Sequence, residues 1–416
     1  MAAQRDVEVE LKRSLPRALA TLTRLCASFD LAEDAAQEAA TRALTAWPRG
    51  GVPGYPVAWL IRAGRNWFID QARRAAMVER SAAALSLHLE QSAALRDVDT
   101  AAEALSCDDD LLRLIFVCAH PALPEPARVA LTLKTIAGLS VDEIARAFVV
   151  TPKAMEQRLT RAKAKIAAAG IAFRLPDEAD LNERLNGVLS VVYLIFNEGY
   201  SATAGDHLIR HNLCQEAIRL ARLLTRMFRD DQEVAALLAL LLFQHSRAAA
   251  RLSDDGAIVA LAEQDRRRWD LAAIDEGRAL LQRALRRPGA GPYRLQAAIA
   301  ALHCEAATAA ATDWRQIAEL YRRLEMMTPN PVVTLNRAVA LAEAGDSGRG
   351  LELLRSLDGD KRLARYLPFH LAHAALLEGS GDLAAARRAL RQARPLATLA
   401  SQQAHIDRQL ARLAND

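Results

Sequence analysis

Lys153, Gln157, Arg158, Arg161, Lys163 and Lys165 fall on one face of a helical stretch that begins after Thr151, and Glu156 is the one acid among them. Cations in such a row neutralise phosphates. Gln157 and Arg158 also offer the paired hydrogen bonds that address base edges in a DNA groove. Thr151 serves as N-cap, with Pro152 in the first turn, where a missing N–H does no harm. The opposite face carries Met155 and Leu159. The preceding helix, from Ser140 to Phe148, turns Ile144, Ala147 and Phe148 toward them at helical spacing. Ser140 followed by Glu143 is a capping box. An apolar back, a capped start and a basic front describe the recognition helix of a helix-turn-helix. An ordinary amphipathic hairpin with a solvated charged face shares the pattern.

A second constellation lies upstream. The helix expected over 57–77 interleaves Trp59, Trp67 and Phe68 with Arg62, Arg65, Asn66, Gln71, Arg73 and Arg74. Rings stack on unpaired bases while cations hold phosphates, a combination suited to single-stranded nucleic acid. Burial of the same rings in a core is the competing reading. Asp34, Gln37, Glu38 and Arg42 form a third group. They project from a helix capped by Asp30, whose Leu31, Ala35, Ala39 and Leu44 are expected to pack. The segment 48–56, PRGGVPGYP, should end that helix. A first helix over 11–29 would bury Leu15, Leu19, Leu22 and Leu25.

The elements behind these groups are helical. Ala, Leu and Arg dominate a chain of 416 residues that is 51% hydrophobic and only 5% aromatic. This composition predicts an all-α fold, and the length predicts several domains. The formal charge of +4 permits nucleic-acid binding without requiring it. Five scattered cysteines form no C-x-x-C pair, and the longest apolar run, 234–243, is too short to span a membrane. A cytoplasmic protein without membrane attachment is expected. His207 and His211 stand four apart, as zinc ligands do, but lack the Glu and the third ligand that would complete a site. No phosphate-binding glycine loop or nucleophile elbow is present. Neither an enzyme, a metal nor a cofactor is expected.

The motifs D-L-A-E-D-A-A-Q-E-A and P-x-A-W-L-I-R-x-x-R-N-W-F-I-D-x-x-R-R, with the hairpin over 138–166, resemble bacterial extracytoplasmic-function (ECF) sigma factors of the sigma-70 family. The first two resemble region 2 and the hairpin region 4. The resemblance implies a partner, core RNA polymerase, and a target, promoter DNA. It implies that Asp34, Gln37, Glu38 and Arg42 dock on the polymerase. Trp59, Arg62, Arg65, Asn66, Trp67, Arg73 and Arg74 would hold a melted minus-ten element. Thr151, Lys153, Gln157, Arg158 and Arg161 would read the minus-thirty-five element. The expected domains are region 2 over 1–82, an acidic linker over 83–110, region 4 over 111–172 and a helical extension over 173–416. The linker carries Glu90, Asp97, Asp99, Glu103, Asp108, Asp109 and Asp110 against Arg96. It is read either as a solvated tether or as a segment that follows the nucleic-acid path in the polymerase.

The order YLIFNEGYSA, LAEQDRRRWD, GPYRLQAAIAALH, TDWRQIAELY and PVVTLNRAVALAEAG resembles the tetratricopeptide-like extension fused to one ECF group; its fixed attachment suggests a domain that regulates the factor, and a further hold on the core enzyme fits equally. Gly345-Asp346 and Gly381-Asp382 stand 36 residues apart, close to the tetratricopeptide period of about 34. Within the extension, Asn197, Glu198, Gly199 and Tyr200, then Asp265, Arg266, Trp269 and Asp270, then Asp313 and Trp314 break the apolar pattern. They read as helix caps and wedges, with Gly199 a C-cap, or as the lining of a pocket for an unidentified ligand or partner peptide. Other function classes that fit parts of the chain are a helical-repeat interaction scaffold and a one-component regulator using the hairpin alone. The region 2 motifs argue against both.

Overall fold

The computed structural model describes residues 2–26, 28–79, 100–148, 150–200, 211–253, 259–289, 291–397 and 400–415. Among these the regular elements are all helices. They form two units, Met1–Val191 and Val192–Asp416.

The N-terminal unit begins with α1 (Ala2–Cys26), α2 (Phe29–Gly50) and α3 (Pro56–Glu79). Leu22, Leu60 and Ile61 are fully buried among them, each contributing about 1.5–3 kcal/mol over its exposed state. α2 buries Ala32, Ala35, Ala36, Ala39 and Ala43, ending in Trp47. Small side chains let its neighbours come close. A Cβ on Gly64 of α3 would sit 2.8 Å from Leu22 Cδ1 and 2.9 Å from the Ala35 carbonyl oxygen.

The entry and exit of α2 differ from the local signals. Phe29 opens α2 instead of closing α1, and Ser28 is the cap, its Oγ accepting from Leu31 N at 3.5 Å. Asp30 therefore lies in the first turn, where its charge suits the positive end of the helix. Pro48 does not end α2. The helix runs to Gly50, and Gly51 terminates it at φ 79°, its N–H bonded to the Trp47 carbonyl at 2.9 Å. Leu31 and Leu44 do not pack; they are 42% and 44% exposed, because the face of α2 turned to the core is its line of alanines with Trp47.

Four helices follow: α4 (Thr100–Cys118), α5 (Glu125–Thr135), α6 (Val141–Ala147) and α7 (Pro152–Ala168). The acidic stretch is thus partly helix, since α4 begins at Thr100; Glu90, Asp97 and Asp99 lie outside the described residues. Asp110 is fully buried, bonded to Arg24 Nε of α1 at 3.0 and 3.1 Å and to Arg113 Nη1 at 2.8 Å. α1 packs along α4, so the two modules touch rather than being held apart.

α8 (Glu178–Tyr200) runs from one unit into the next. Its first part belongs to the N-terminal unit, with Leu185, Val188 and Leu189 buried and Arg184 Nη2 donating to the Phe116 carbonyl at 2.9 Å.

The C-terminal unit continues with α9 (His211–Met227), α10 (Gln232–His245), α11 (Leu271–Leu285) and α12 (Pro292–Glu305). Every residue over 234–243 is buried, so the longest apolar run is a central helix packed on all sides. Gly199 is not a C-cap. It lies inside α8, where a Cβ would come within 2.8 Å of Leu213 Cβ and the Cys214 nitrogen, so it serves the close approach of α9. Beyond lie α13 (Trp314–Met327), α14 (Pro331–Glu343), α15 (Ser347–Arg355), α16 (Leu367–Gly379), α17 (Leu383–Ala393) and α18 (Ala400–Asn415). Gly345 (φ 95°) and Gly381 (φ 84°) turn the chain between α14 and α15 and between α16 and α17. Asp346 and Asp382 cap the returning helices, accepting from Arg349 N at 3.2 Å and Ala385 N at 2.9 Å. The 36-residue spacing is therefore one helical hairpin repeated.

Candidate functional site

The start of α7 is built as its residues dictate. Thr151 Oγ1 accepts from Ala154 N at 3.2 Å. Ser140 and Glu143 cap α6 reciprocally, Ser140 N donating to Glu143 Oε2 at 2.8 Å and Glu143 N to Ser140 Oγ at 3.2 Å. Ile144, Met155 and Leu159 are buried between the two helices. Lys153, Gln157, Arg161 and Lys165, each four residues from the next, line the exposed side of α7. Thr151 is exposed at its tip. Arg158 is half-buried; its guanidinium lies 5.4 Å from the centre of the Phe148 ring. Arg158, Arg161 and Lys165 also border a cleft of about 480 Å³ against Leu123 and Pro124 of the α4–α5 turn and Pro126 of α5. Lys163 departs from the expected basic front. It faces α2, ion-paired with Glu33 and 5.7 Å from the Phe29 ring centre.

On α3, Arg62, Asn66, Arg73 and Arg74 are exposed, and Arg65 and Trp67 are half-buried. Arg73 stands 3.9 Å from Asp70. Trp59 is turned into the module, edge-on to Trp47 at 5.5 Å and packed against the core of α1–α3. On α2, Asp34, Gln37 and Arg42 are exposed and Glu38 half-buried, with Arg42 Nε bonded to Glu38 Oε1 at 2.9 Å. The exposed side of α7 is thus lined by cations, and Arg62, Asn66, Arg73 and Arg74 are exposed on α3.

In the C-terminal unit the three polar-aromatic groups separate by role. Asp270 and Asp313 are caps, accepting from Ala273 N at 3.0 Å and Gln316 N at 2.9 Å. Asp265 closes the short turn that follows it, accepting from Arg267 N at 3.0 Å. Asn197 is half-buried within α8. Tyr200, Arg266, Trp269 and Trp314 instead converge with residues whose spacing carried no signal. Arg251 lies over the Tyr200 ring at 3.8 Å and donates to the Tyr200 carbonyl at 2.5 Å. Arg247 Nη2 donates to Tyr200 Oη at 3.2 Å. Arg266 covers Trp269 at 4.4 Å and donates to the His303 carbonyl at 2.7 Å, and His303 meets Trp314 edge-on at 5.1 Å. Burial, with Arg247 and Arg266 nearby, pushes the His303 imidazole down to about 4, so it is neutral at pH 7. Burial also lowers Arg251 and Arg266 from the ordinary guanidinium value, and Arg247 adds to both effects. His207, one of the two histidines four apart, lies outside the described residues.

Comparison with known proteins covers most of the chain. Residues 11–77 match the family described as Sigma-70 region 2, and residues 113–166 match Sigma-70, region 4. Residues 184–285 match a family of unknown function, DUF6596. An uncharacterized protein of Rhizobium meliloti (strain 1021) is 46% identical over 415 residues, which is 98% of this chain and 96% of that protein. No solved structure matches.

Proposed function

The chain belongs to the sigma-70 family, whose members bind core RNA polymerase and promoter DNA to start transcription, and from that premise we propose how its surfaces divide the work. α7 enters the major groove of the minus-thirty-five element. Thr151, Lys153 and Arg161 fix register on phosphates, and Gln157 and Arg158 read base edges. α3 holds the melted minus-ten strand through Arg62, Arg65, Asn66, Trp67, Arg73 and Arg74. Trp59 supports that surface from beneath, through its contact with Trp47. Asp34, Gln37, Glu38 and Arg42 dock on the polymerase. The protein acts in the cytoplasm as an ECF-type factor, and its extension regulates it. The family is one of transcription factors rather than enzymes. No described helix is long and apolar enough to cross a membrane.

The observation that carries this reading is the α6–α7 hairpin, capped at both starts and cationic on its exposed side, following region 2 in the order found in the family. Run-off transcription with core polymerase tests it. RNA should start at a discrete site only when the protein is present; core enzyme that neither captures the chain nor initiates with it ends the proposal. Arg158→Ala should cost about 1–3 kcal/mol at one or two base pairs of the promoter. Equal loss on every promoter variant would make Arg158 a phosphate anchor instead.

The regulatory role has its own test. A chain ending at Val191 keeps the buried part of α8 with the N-terminal unit. It should still capture core polymerase while its transcript yield changes. Unchanged yield removes regulation from the extension.

A further inference from the structure

We propose that the C-terminal unit holds a binding site for a small oxyanion, a phosphate or carboxylate carried by a soluble ligand, formed by Arg247, Arg251 and Arg266 around Tyr200 and His303. The site goes beyond the promoter-recognition reading and stands whether or not the extension regulates.

A guanidinium offers five N–H donors and stays charged in any protein interior. Arg247, Arg251 and Arg266 are each half-buried, and each makes one hydrogen bond, to the Tyr200 hydroxyl, the Tyr200 carbonyl and the His303 carbonyl. No described carboxylate pairs with any of them. The Nε of Arg247 and the Nε1 of Trp269 are buried donors with no partner, and His303 Nδ1 is likewise unpartnered.

Two other arginines of the unit, Arg294 buried and Arg337 half-buried, are met by carboxylates. Arg294 lies 3.3 Å from Glu233, and Arg337 lies 2.6 Å from Glu325. Among the described residues a carboxylate meets each of those two arginines and none pairs with the three clustered ones, which leaves a concentration of positive charge that a ligand's negative group would complete. Rings already occupy the flanks of this cluster, since Arg251 stacks on Tyr200 and Arg266 on Trp269. The two guanidinium planes are therefore held in place before an anion arrives, which favours binding. A neutral His303 adds no further repulsion and supplies one more hydrogen-bonding atom at the same place.

The test is thermal unfolding of the full chain with inorganic phosphate or succinate at low concentration, against chloride at matched ionic strength. Low concentration keeps general salting effects small. The C-terminal transition should rise by roughly 5 °C at about a hundredfold excess over the dissociation constant. A response to phosphate alone identifies a phosphoryl ligand, and one to succinate alone a carboxylate. The rise should vanish in Arg247→Gln and in Arg266→Gln. It should persist in Arg278→Gln, which removes a surface arginine paired with Asp275 and Glu305. It should also persist in Arg161→Gln, which separates this site from phosphate held on the DNA-facing helix. If both cluster variants unfold, isothermal titration of a Lys153→Gln, Arg161→Gln chain decides, through measurable heat with either anion where the DNA-facing cations are gone. Absence of any rise or heat with both anions, or a rise that the cluster variants retain, overturns the proposal.

Discussion

Removing both Arg24 and Arg113 should destabilise the N-terminal unit by about 3–5 kcal/mol, more than removing the aspartate they share. The asymmetry follows from exposure. The Asp110 side chain is 0% exposed, whereas Arg24 and Arg113 are 39% and 31% exposed. Without its partners the carboxylate is a buried charge with nothing to offset it. Asp110→Ala frees two cations that can still reach water, so only the charged hydrogen bonds are lost, at about 1.5–3 kcal/mol. Native-state hydrogen exchange at the amides of α1 and α4 reads both changes where they occur. An Asp110→Ala chain as unstable as the double arginine variant would show that the ion pairs, not the burial of the carboxylate, set the energetics. The clasp also ties the first helix of region 2 to the first helix of region 4, so its loss should loosen the two modules together.

In the C-terminal unit the largest single loss is expected at Glu233. Its carboxylate accepts from Tyr293 N at 2.8 Å, Arg294 N at 3.3 Å and Arg294 Nε at 3.3 Å. It therefore caps α12 from another helix, because the N-cap residue of α12, Gly291, has no side chain to do so. Glycine is needed there by proximity: a Cβ would lie 2.1 Å from Glu233 Cδ. Glu233→Ala leaves two helix N–H groups open and the Arg294 guanidinium, only 9% exposed, without its countercharge. The expected cost is about 3–5 kcal/mol. Calorimetry of the full chain should show the C-terminal transition falling while the N-terminal one stays. A double variant, Glu233→Ala with Arg294→Met, should recover part of the loss by removing the stranded charge. No recovery would place the cost in the lost helix cap rather than in the ion pair.

Most of the local architecture was legible in the sequence because its causes lie within a few residues of one another. Thr151 bonds three residues ahead, Ser140 and Glu143 bond each other, and Asp346 and Asp382 repeat a cap after a glycine turn. The apolar period placed Ile144, Met155 and Leu159 inside, and the helical class followed from composition. Local rules also misplaced some boundaries. Asp30 and Ser28 are both good caps, and Pro48 breaks helices in most settings, yet α2 runs two residues past it, to Gly50.

Which charged residue faces which partner was decided by the tertiary structure alone. Lys163 sits in the same basic row as Lys153 and Arg161, but packing of α7 beside α2 turns it to Glu33, 130 residues away in sequence. Asp110 looked like one acid in a tether until α1 brought Arg24 to it across 86 residues. Trp59 and Trp67 share a motif, yet only Trp59 meets Trp47. Arg247, Arg251 and His303 carried no signal in the chain; they join Tyr200 and Arg266 because separate helices end at one place. Periodicity and capping act over one or two helical turns and are written locally. The pairing of charges across the fold depends on which helix faces which, and that information exists only once the cores have formed.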